Sequence, residues 1–216
     1  RGRTEMNGTA EAPIQFEPLE SGKIWGVLAI QGPEASGSVL RHVELRGGSG
    51  ARAGLTRLIA MLSVHDTSNV LLDNLFLTEN AVEDDMIHII YSHDVTVRNV
   101  HMVGARSDAI DIDISTVRVE GGRIEMSGND AIDLMSTRAV IDGPLLVDNG
   151  DKGVSVGEGS DATILNTTIR RNVIGVQSKD GSIAEITGSE FDNNRVQLSA
   201  YQKNWRYADG GRITAA

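Results

Sequence analysis

The fold is decided by residues 107–135, which read SDAIDIDISTVRVEGGRIEMSGNDAIDLM. Within this stretch the tetrapeptide DAID at residues 108–111 returns at residues 130–133, after 22 positions. The residues between the two copies alternate between apolar and polar side chains over short runs, and they show no sustained 3.6-residue rhythm. Short alternations of this kind predict β-strands, and a period of about 22 residues predicts a stack of similar turns.

Three apolar columns keep this period along most of the chain. The columns are Leu72, Val97, Val119, Ile141, Ile164 and Ile186; then Leu77, Met102, Ile124, Leu146, Ile169 and Phe191; then Ile87, Ile110, Ile132, Val154, Val176 and Val196. Three strands per turn predict an all-β protein, a single-stranded right-handed parallel β-helix of about eight rungs. The aromatic content of 4% agrees with a narrow core of stacked aliphatic side chains.

The whole chain, residues 1–216, is predicted to form a single domain. We expect residues 1–24 to be a lead-in or cap, and residues 200–216 to be a C-terminal cap in which Tyr201, Trp205 and Tyr207 cover the last rung. Residues 51–57 are predicted to be a loop inserted into an early rung.

The composition excludes several classes of function. The chain has 20 basic and 30 acidic residues, a net charge of −10, and this surplus argues against a nucleic-acid partner. The absence of cysteine excludes disulfides and thiolate zinc sites. No apolar run approaches the ~20 residues that span a bilayer, so we expect no membrane insertion. No signal peptide opens the sequence, so the chain is expected to be a mature or trimmed piece.

The repeat, over nearly the whole chain, resembles right-handed β-helix proteins of the pectate-lyase-like superfamily. Residues 8–16 and 25–27, GTAEAPIQF and WGV, are similar to the start of many secreted bacterial β-helix domains. This resemblance implies a secreted, periplasmic or cell-surface protein that acts on or holds polysaccharides. Residues 151–158, DKGVSVGE, resemble β-helix modules that accompany CotH kinase domains, which implies other domains in a larger protein.

The third alternation predicts a face rich in aspartate. Because Ile110, Ile112 and Ile114 are expected to point inward, Asp111 and Asp113 point outward. The outward columns are then His88, Asp111, Asp133, Ser155, Gln177 and Gln197, and Ile90, Asp113, Met135, Gly157, Lys179 and Ser199. The turn before the strand adds a column of Asp85, Asp108, Asp130 and, shifted by one residue, Asp151. We call these seven aspartates the aspartate face.

Three interpretations of the aspartate face stay open. The face is interpreted either as a solvated surface, or as a cation site, or as a catalytic site. Hard cations such as Ca²⁺ take oxygen ligands, which makes Asp85, Asp108, Asp130 and Asp151 the candidate calcium ligands. Paired carboxylates also suit glycoside hydrolysis, which makes Asp108, Asp111, Asp130 and Asp133 the candidate catalytic acids and bases. His88 is a further candidate proton donor, and Lys152 is a candidate base for uronate elimination or else an ion-pair partner.

Four segments are similar to polygalacturonase motifs in order and spacing. They are residues 106–111, 128–132, 151–157 and 175–179. Asp108, Asp130 and Lys179 match that family's residues, whereas Asn129, Lys152 and Gln177 stand where it has a catalytic carboxylate, a histidine and an arginine. The resemblance implies substrate binding by Lys179 and Gln177, and Asp113, in the same outward column as Lys179, is a further candidate substrate-binding residue.

Together these features predict an extracellular polysaccharide-directed protein, a lyase or hydrolase that acts on an acidic, uronate-containing glycan. The alternative is a non-catalytic carbohydrate-binding or cell-surface module whose acidic face holds Ca²⁺ or is only solvated.

Overall fold

The computed structural model describes residues 2–80 and 82–216. Over these residues the chain coils into a parallel β-helix in which each turn contributes one strand to each of three sheets, A, B and C. Six regular turns run from Leu71 to Tyr201 within the described residues, and two less regular turns precede them. The predicted right-handed parallel β-helix is therefore confirmed, whereas the predicted count of about eight rungs exceeds the six regular turns that the described residues form.

Sheet A has nine strands in the described part of the chain. They are β1 (Glu5–Asn7), β4 (Val39–Arg41), β9 (Leu71–Asp73), β12 (Val95–Arg98), β15 (Thr116–Glu120), β18 (Arg138–Asp142), β21 (Asp161–Leu165), β24 (Ile183–Thr187) and β27 (Arg212–Ala215).

Sheets B and C have eight strands each over the same residues. Sheet B contains β2 (Ile14–Phe16), β5 (Val43–Arg46), β10 (Phe76–Thr78), β13 (His101–Val103), β16 (Arg123–Glu125), β19 (Leu145–Val147), β22 (Thr168–Arg170) and β25 (Glu190–Asp192). Sheet C contains β3 (Leu28–Gln31), β8 (Ala60–His65), β11 (Asp85–Ile90), β14 (Ile110–Asp113), β17 (Ile132–Met135), β20 (Lys152–Gly157), β23 (Ile174–Lys179) and β26 (Val196–Tyr201).

Two short elements lie outside the coil. The antiparallel hairpin of β6 (Ala51–Ala53) and β7 (Thr56–Leu58) occupies the position of the predicted insertion. A 3-10 turn covers Pro33–Ala35. In the described part of the chain, no helix has the length and apolar character that crossing a membrane requires.

The core is built by the three apolar columns, whose members pair across adjacent strands. Val97, for example, pairs with Leu72 and Val119, and the first two columns hold throughout. The third column holds as far as Val176, which pairs with Leu198 and not with Val196. The last strand of sheet C is thus shifted by two residues from the predicted register, because Val196 pairs with Ile174 at the start of the strand.

Polar ladders fix the corners between the sheets. Between sheets B and C, the Asn149 Oδ1 accepts a hydrogen bond from Ser127 N, and Asn172 and Asn194 repeat this contact in the next two turns. Serine and threonine hydroxyls do the same between sheets C and A, where Ser92 N donates to Ser115 Oγ. Each ladder side chain satisfies a backbone N–H that would otherwise be buried without a partner.

Sheet C ends at a corner whose residues adopt a left-handed conformation. Ile114 has φ 45° and is 41% exposed, so the expectation that it points inward is wrong. The strand β14 stops at Asp113, and the chain turns before Ile114. A β-branched residue in this conformation is unusual and strained, and it lies directly beside the aspartate face.

The C-terminal segment adds one strand without sealing the core. Strand β27 pairs with β24, and Asp180 Oδ1 accepts hydrogen bonds from Lys203 N and Asn204 N. Trp205 is 85% exposed, so it does not cover the last rung as expected.

Candidate functional site

The aspartate face forms on the outer side of sheet C. Asp111 on β14 lies in register between His88 on β11 and Asp133 on β17. Neighbouring parallel strands lie ~4.8 Å apart, so Asp111 and Asp133 are direct neighbours, as the sequence predicted. The isoleucines on either side of Asp111 are buried in the core, which forces its carboxyl group outward.

The turn column of aspartates is partly structural. Asp108 Oδ1 accepts hydrogen bonds from Asn129 Nδ2 at 2.9 Å and from Asp130 N at 2.7 Å. Asp130 Oδ1 in turn accepts a bond from Lys152 N at 2.9 Å. Lys152, and not Asp151, therefore continues the column of Asp85, Asp108 and Asp130, and the carboxylates of Asp108 and Asp130 each cap a backbone amide of the next turn.

Lys152 neutralises the end of this column. Its Nζ lies 3.3 Å from Asp130 Oδ1 and 2.5 Å from Asp151 Oδ2. Burial lowers the pKa of Lys152, but these two carboxylates outweigh it and the pKa is raised overall. The predicted role of Lys152 as a catalytic base is disfavoured, since a base must release its proton near neutrality.

His88 connects the aspartates to a second imidazole. Its Nε2 lies 3.3 Å from Asp113 Oδ2 and 3.8 Å from Asp111 Oδ2. Its Nδ1 lies 3.2 Å from Nε2 of His65, and the two rings meet edge to face with centroids 4.9 Å apart. Both rings are almost fully buried, His65 with 7% and His88 with 6% exposure.

Three carboxyl groups of the face, those of Asp85, Asp111 and Asp130, have pKa values well above the ordinary value for aspartate. Burial, together with the charges of Asp113 and Asp85, raises the pKa of Asp111 to about 9. Burial and Asp108 raise the pKa of Asp85 to about 8. Burial also raises the pKa of Asp130, to about 7, although Lys152 opposes the shift. Near neutral pH the face therefore contains carboxyl groups that are still protonated and can donate a proton.

One cluster brings three possible metal ligands together among residues 2–80 and 82–216. A ligand atom from each of His88, Asp111 and Asp113 lies within 4.8 Å of the other two. The predicted calcium ligands Asp85, Asp108, Asp130 and Asp151 form no such group in the described residues, and Lys152 engages Asp130 and Asp151. Calcium binding by this set of four carboxylates stays a prediction.

The predicted substrate-binding residues lie farther along the same face. Lys179 is 8% exposed, and its Nζ lies 3.4 Å from Ser155 Oγ and 3.9 Å from Glu158 Oε2. Gln177 pairs with Ser155 and with Ser199, so the predicted partner Gln197 is wrong. Asp113 is the exception, because it lies with His88 at the centre of the face and not beside Lys179.

His65 is the site residue that the sequence reasoning missed. It pairs in register with Ile90, which itself pairs with Asp113, so it lies one rung before the predicted column. Extending the column backwards would have reached it. The β6–β7 insertion interrupts the repeat just before this rung, and the three regular apolar columns begin only at Leu72.

The comparison with curated protein sequences finds no match. Solved structures with a similar fold include an alginate lyase from Paenibacillus sp. str. FPU-7, at 16% identity and a TM-score of 0.49, covering 98% of this chain and 85% of that one. The enzymatically active domain of bacteriophage CBA120 tailspike protein 2 has 14% identity and a TM-score of 0.51, covering 99% of this chain and 38% of that one. Pectate lyase Pel9A has 12% identity and a TM-score of 0.45, covering 100% of this chain and 66% of that one.

At these identities the structural likeness concerns the fold alone. The family is shown by sequence, since residues 60–207 match the family model described as a right handed beta helix region. This match spans more than half of the chain and includes the whole aspartate face, and the chain therefore belongs to the right-handed β-helix family.

Proposed function

We propose that this chain is a polysaccharide-directed β-helix protein that cleaves an acidic glycan by acid–base catalysis on the aspartate face. As with the superfamily it resembles, we place it outside the cell, as a secreted, periplasmic or surface protein. The likeness of residues 151–158 to CotH-associated modules supports further domains beyond this one.

The observation that carries the proposal is the pairing of Asp111 with Asp133. Asp111 has its pKa raised to about 9, so it holds a proton that a glycosidic oxygen can accept as the bond breaks. Asp133 lies in register on the next strand. Two carboxyl groups ~5 Å apart are the arrangement of retaining glycosidases, in which one acts as acid and the other as nucleophile.

Protonation also explains how an acidic face accepts an acidic substrate. Neutral Asp85 and Asp111 add no negative charge near pH 7 and can donate hydrogen bonds to a uronate carboxylate. Lys179 supplies a positive charge on the same sheet. Hydrolysis is favoured over lysine-dependent elimination, because the pKa of Lys152 is raised by its two aspartate partners.

The test is to incubate the chain with uronate polymers and with neutral glycans, and to follow reducing ends and unsaturated products separately. Hydrolysis by this pair predicts new reducing ends without unsaturated products, and a loss of activity in Asp111→Asn and Asp133→Asn. Asp161→Asn, an exposed change on sheet A, is the matched control and should retain activity. Absence of both products from every glycan, or full activity in Asp111→Asn, would overturn the proposal.

The second candidate function is a non-catalytic module that binds glycan through a divalent cation. The convergence of His88, Asp111 and Asp113 favours it, since one imidazole and two carboxylates provide three ligands. Thermal unfolding with and without millimolar Ca²⁺, Mn²⁺ or Zn²⁺ tests this candidate. A stabilisation that Asp113→Asn abolishes, together with glycan binding but no cleavage, would favour the module over the enzyme.

A further inference from the structure

The last strands of sheets C and A are joined by a long loop. At the preceding corner, residues 180–182 connect β23 to β24, whereas residues 202–211 connect β26 to β27. We call residues 202–211 the terminal loop. It is closed at its base, where Gly211 N donates a hydrogen bond to Tyr201 O at 2.9 Å. The terminal loop is therefore a compact surface loop whose ends meet, a kind of loop that frequently carries function.

The terminal loop is held in place by its backbone and not by its exposed side chains. Asp180 is fully buried, and its Oδ1 accepts hydrogen bonds from Lys203 N and Asn204 N, both at 2.7 Å. Within the loop, Gln202 Nε2 donates to Tyr207 O at 2.6 Å. A carboxylate that accepts two backbone N–H groups fixes a turn, much as it does at the start of a helix. The exposed side chains of the loop are thus presented from a fixed backbone.

The terminal loop lies at the end of the aspartate face. Lys179 pairs in register with Tyr201, so the outward column of sheet C continues from Lys179 to the residue that precedes the loop. The Lys179 side chain lies against Gly157, where any side chain would collide with it. Tyr201 is 41% exposed, and its strand lies three strands beyond that of Asp133, ~14 Å along the helix axis. A glycan that runs along this axis past Asp133 would therefore reach the terminal loop.

Trp205 presents its indole ring to solvent from the terminal loop. It is 85% exposed, and the Arg206 guanidinium lies 5.9 Å from the centre of the ring. The other tryptophan, Trp25, packs against the core and donates its Nε1 proton to Arg46 O. Tryptophan and tyrosine combine a broad apolar face with a polar group, which is why both are enriched at binding surfaces. A sugar ring, with C–H groups on its faces and hydroxyls on its rim, matches this amphipathic shape.

The charge of the terminal loop is opposite to that of the whole chain. The loop carries the exposed cations Lys203 and Arg206 and the single carboxylate of Asp209, whereas the chain has a net charge of −10. Neither cation belongs to an ion pair in the part of the chain that the structure describes. Burial raises the pKa of Glu158 while the charges of Lys179 and Lys203 oppose the shift, which places Lys203 on the same side as the aspartate face. The loop therefore offers positive charge to a ligand with carboxylates.

We propose that the terminal loop is a second binding site for the acidic glycan, with Tyr201 and Trp205 stacked against sugar rings and with Lys203 and Arg206 bound to uronate carboxylates. The proposal rests on the acidic-glycan partner of the proposed function, and not on cleavage. Because the site lies several sugar rings from the Asp111–Asp133 pair, its contacts add affinity and make no bond. Loss of these contacts should raise KM with little change in kcat.

The experiment measures binding by the full chain and does not depend on turnover. The acidic probes are oligosaccharides of polygalacturonate and of alginate, and the neutral probe is a dextran oligosaccharide. Where the wild-type chain cleaves a probe, the titrations are made in an Asp133→Asn background. Binding of an acidic probe should shift tryptophan emission to shorter wavelength and protect it from acrylamide quenching, because an exposed indole becomes covered. Trp205→Ala should abolish this signal.

Calorimetry measures the affinities of the variants. Trp205→Ala should weaken binding of the acidic probes by roughly tenfold, and Arg206→Gln by roughly threefold. Arg138→Gln, which removes an exposed arginine from sheet A, is the matched control and should bind as the wild-type chain does. Trp205→Ala should leave Tm unchanged, since its ring is exposed in the folded protein.

The outcomes separate this site from other roles of the loop. Acidic-probe binding that weakens in both loop variants but not in Arg138→Gln supports the proposal, even where no glycan is cleaved and the proposed function fails. No binding of either acidic probe, undiminished binding in Trp205→Ala, or equal binding of dextran overturns it. Self-association in size-exclusion chromatography that Trp205→Ala abolishes also overturns it, since a second copy would then cover the indole. Cleavage with an unchanged KM in Trp205→Ala would refute this site and leave the proposed function intact.

Discussion

Replacing Asp111 by asparagine should stabilise the protein at neutral pH. Asp111 has an ordinary pKa of 3.8 but a pKa of about 9 in the folded state, because it is buried among Asp113, Asp85 and Asp133. Near pH 7 the unfolded chain has released this proton while the folded protein still holds it. Folding must therefore take up a proton from a solution in which few are available, and asparagine removes this requirement without changing the shape of the side chain.

The magnitude follows from the width of the pH interval. Between the unfolded pKa of 3.8 and neutrality lie ~3 pH units, and each unit corresponds to about 1.4 kcal/mol, so Asp111→Asn should gain at most about 4 kcal/mol. For a chain of this length, such a gain raises Tm by about 8–16 °C. A carboxyl group with a raised folded pKa gives its full stability below its unfolded pKa and loses it as pH rises. Hence the gain should vanish near pH 4 and grow towards about pH 9.

Urea unfolding followed by circular dichroism at about pH 4 and about pH 7 measures this difference, with Asp161→Asn as the control at an exposed site. The reasoning predicts that only Asp111→Asn becomes relatively more stable as pH rises. An equal change in the control, or a gain for Asp111→Asn that does not depend on pH, would refute the claim that Asp111 is held protonated.

Three further changes test the surroundings of the face. Lys152→Met should destabilise the protein by about 3 kcal/mol above pH 8 and little below pH 6, because the buried Asp130 carboxyl needs the positive charge of Lys152 only when it is ionised. A loss of stability that is the same at both pH values would contradict this. Asn172→Ala should cost about 3 kcal/mol in urea unfolding, because it leaves the buried Asn149 N and Leu146 O without partners; a loss below about 1 kcal/mol would show that water replaces them. Neutral His65 stabilises fully above pH 6.5, and this stability is lost as pH falls towards about 4, so His65→Gln should flatten the acid limb of a Tm profile.

The sequence predicted the fold and the rows of the site because a solenoid converts sequence spacing into contact. A residue 22 positions away lies on the neighbouring strand, so the apolar columns and the Asp111–Asp133 pair followed from counting alone. Where the spacing changed, the prediction failed. The last strand of sheet C is displaced by two residues, which moved Gln197 away from Gln177.

The side-chain contacts that give the site its chemistry could not be predicted from the repeat spacing. His88 reaches Asp113 and His65 diagonally, across strand positions that are not paired in register. Such contacts depend on side-chain rotamers and on burial, and a one-dimensional repeat contains neither. The same limitation applies to Lys152, whose one-residue offset from Asp151 decides which of the two continues the turn column.

The carboxyl groups of the aspartate face differ between the earlier and the later turns in what compensates their negative charge. In the later turns lysines occupy the face, so that Asp130 and Asp151 are paired with Lys152 and Glu158 approaches Lys179. In the earlier turns no lysine or arginine forms an ion pair with Asp85, Asp111 or Asp113 among the described residues. Burial instead raises the pKa values of Asp85 and Asp111, and Asp113 lies 3.3 Å from His88 Nε2. A glycan that runs along the helix axis would therefore meet proton donors at one end and fixed positive charge at the other. Because Lys179 Nζ reaches back to 3.4 Å from Ser155 Oγ, on the strand next to Asp133, that charge would hold a uronate carboxylate one strand beyond the Asp111–Asp133 pair and leave Asp111 free to transfer its proton.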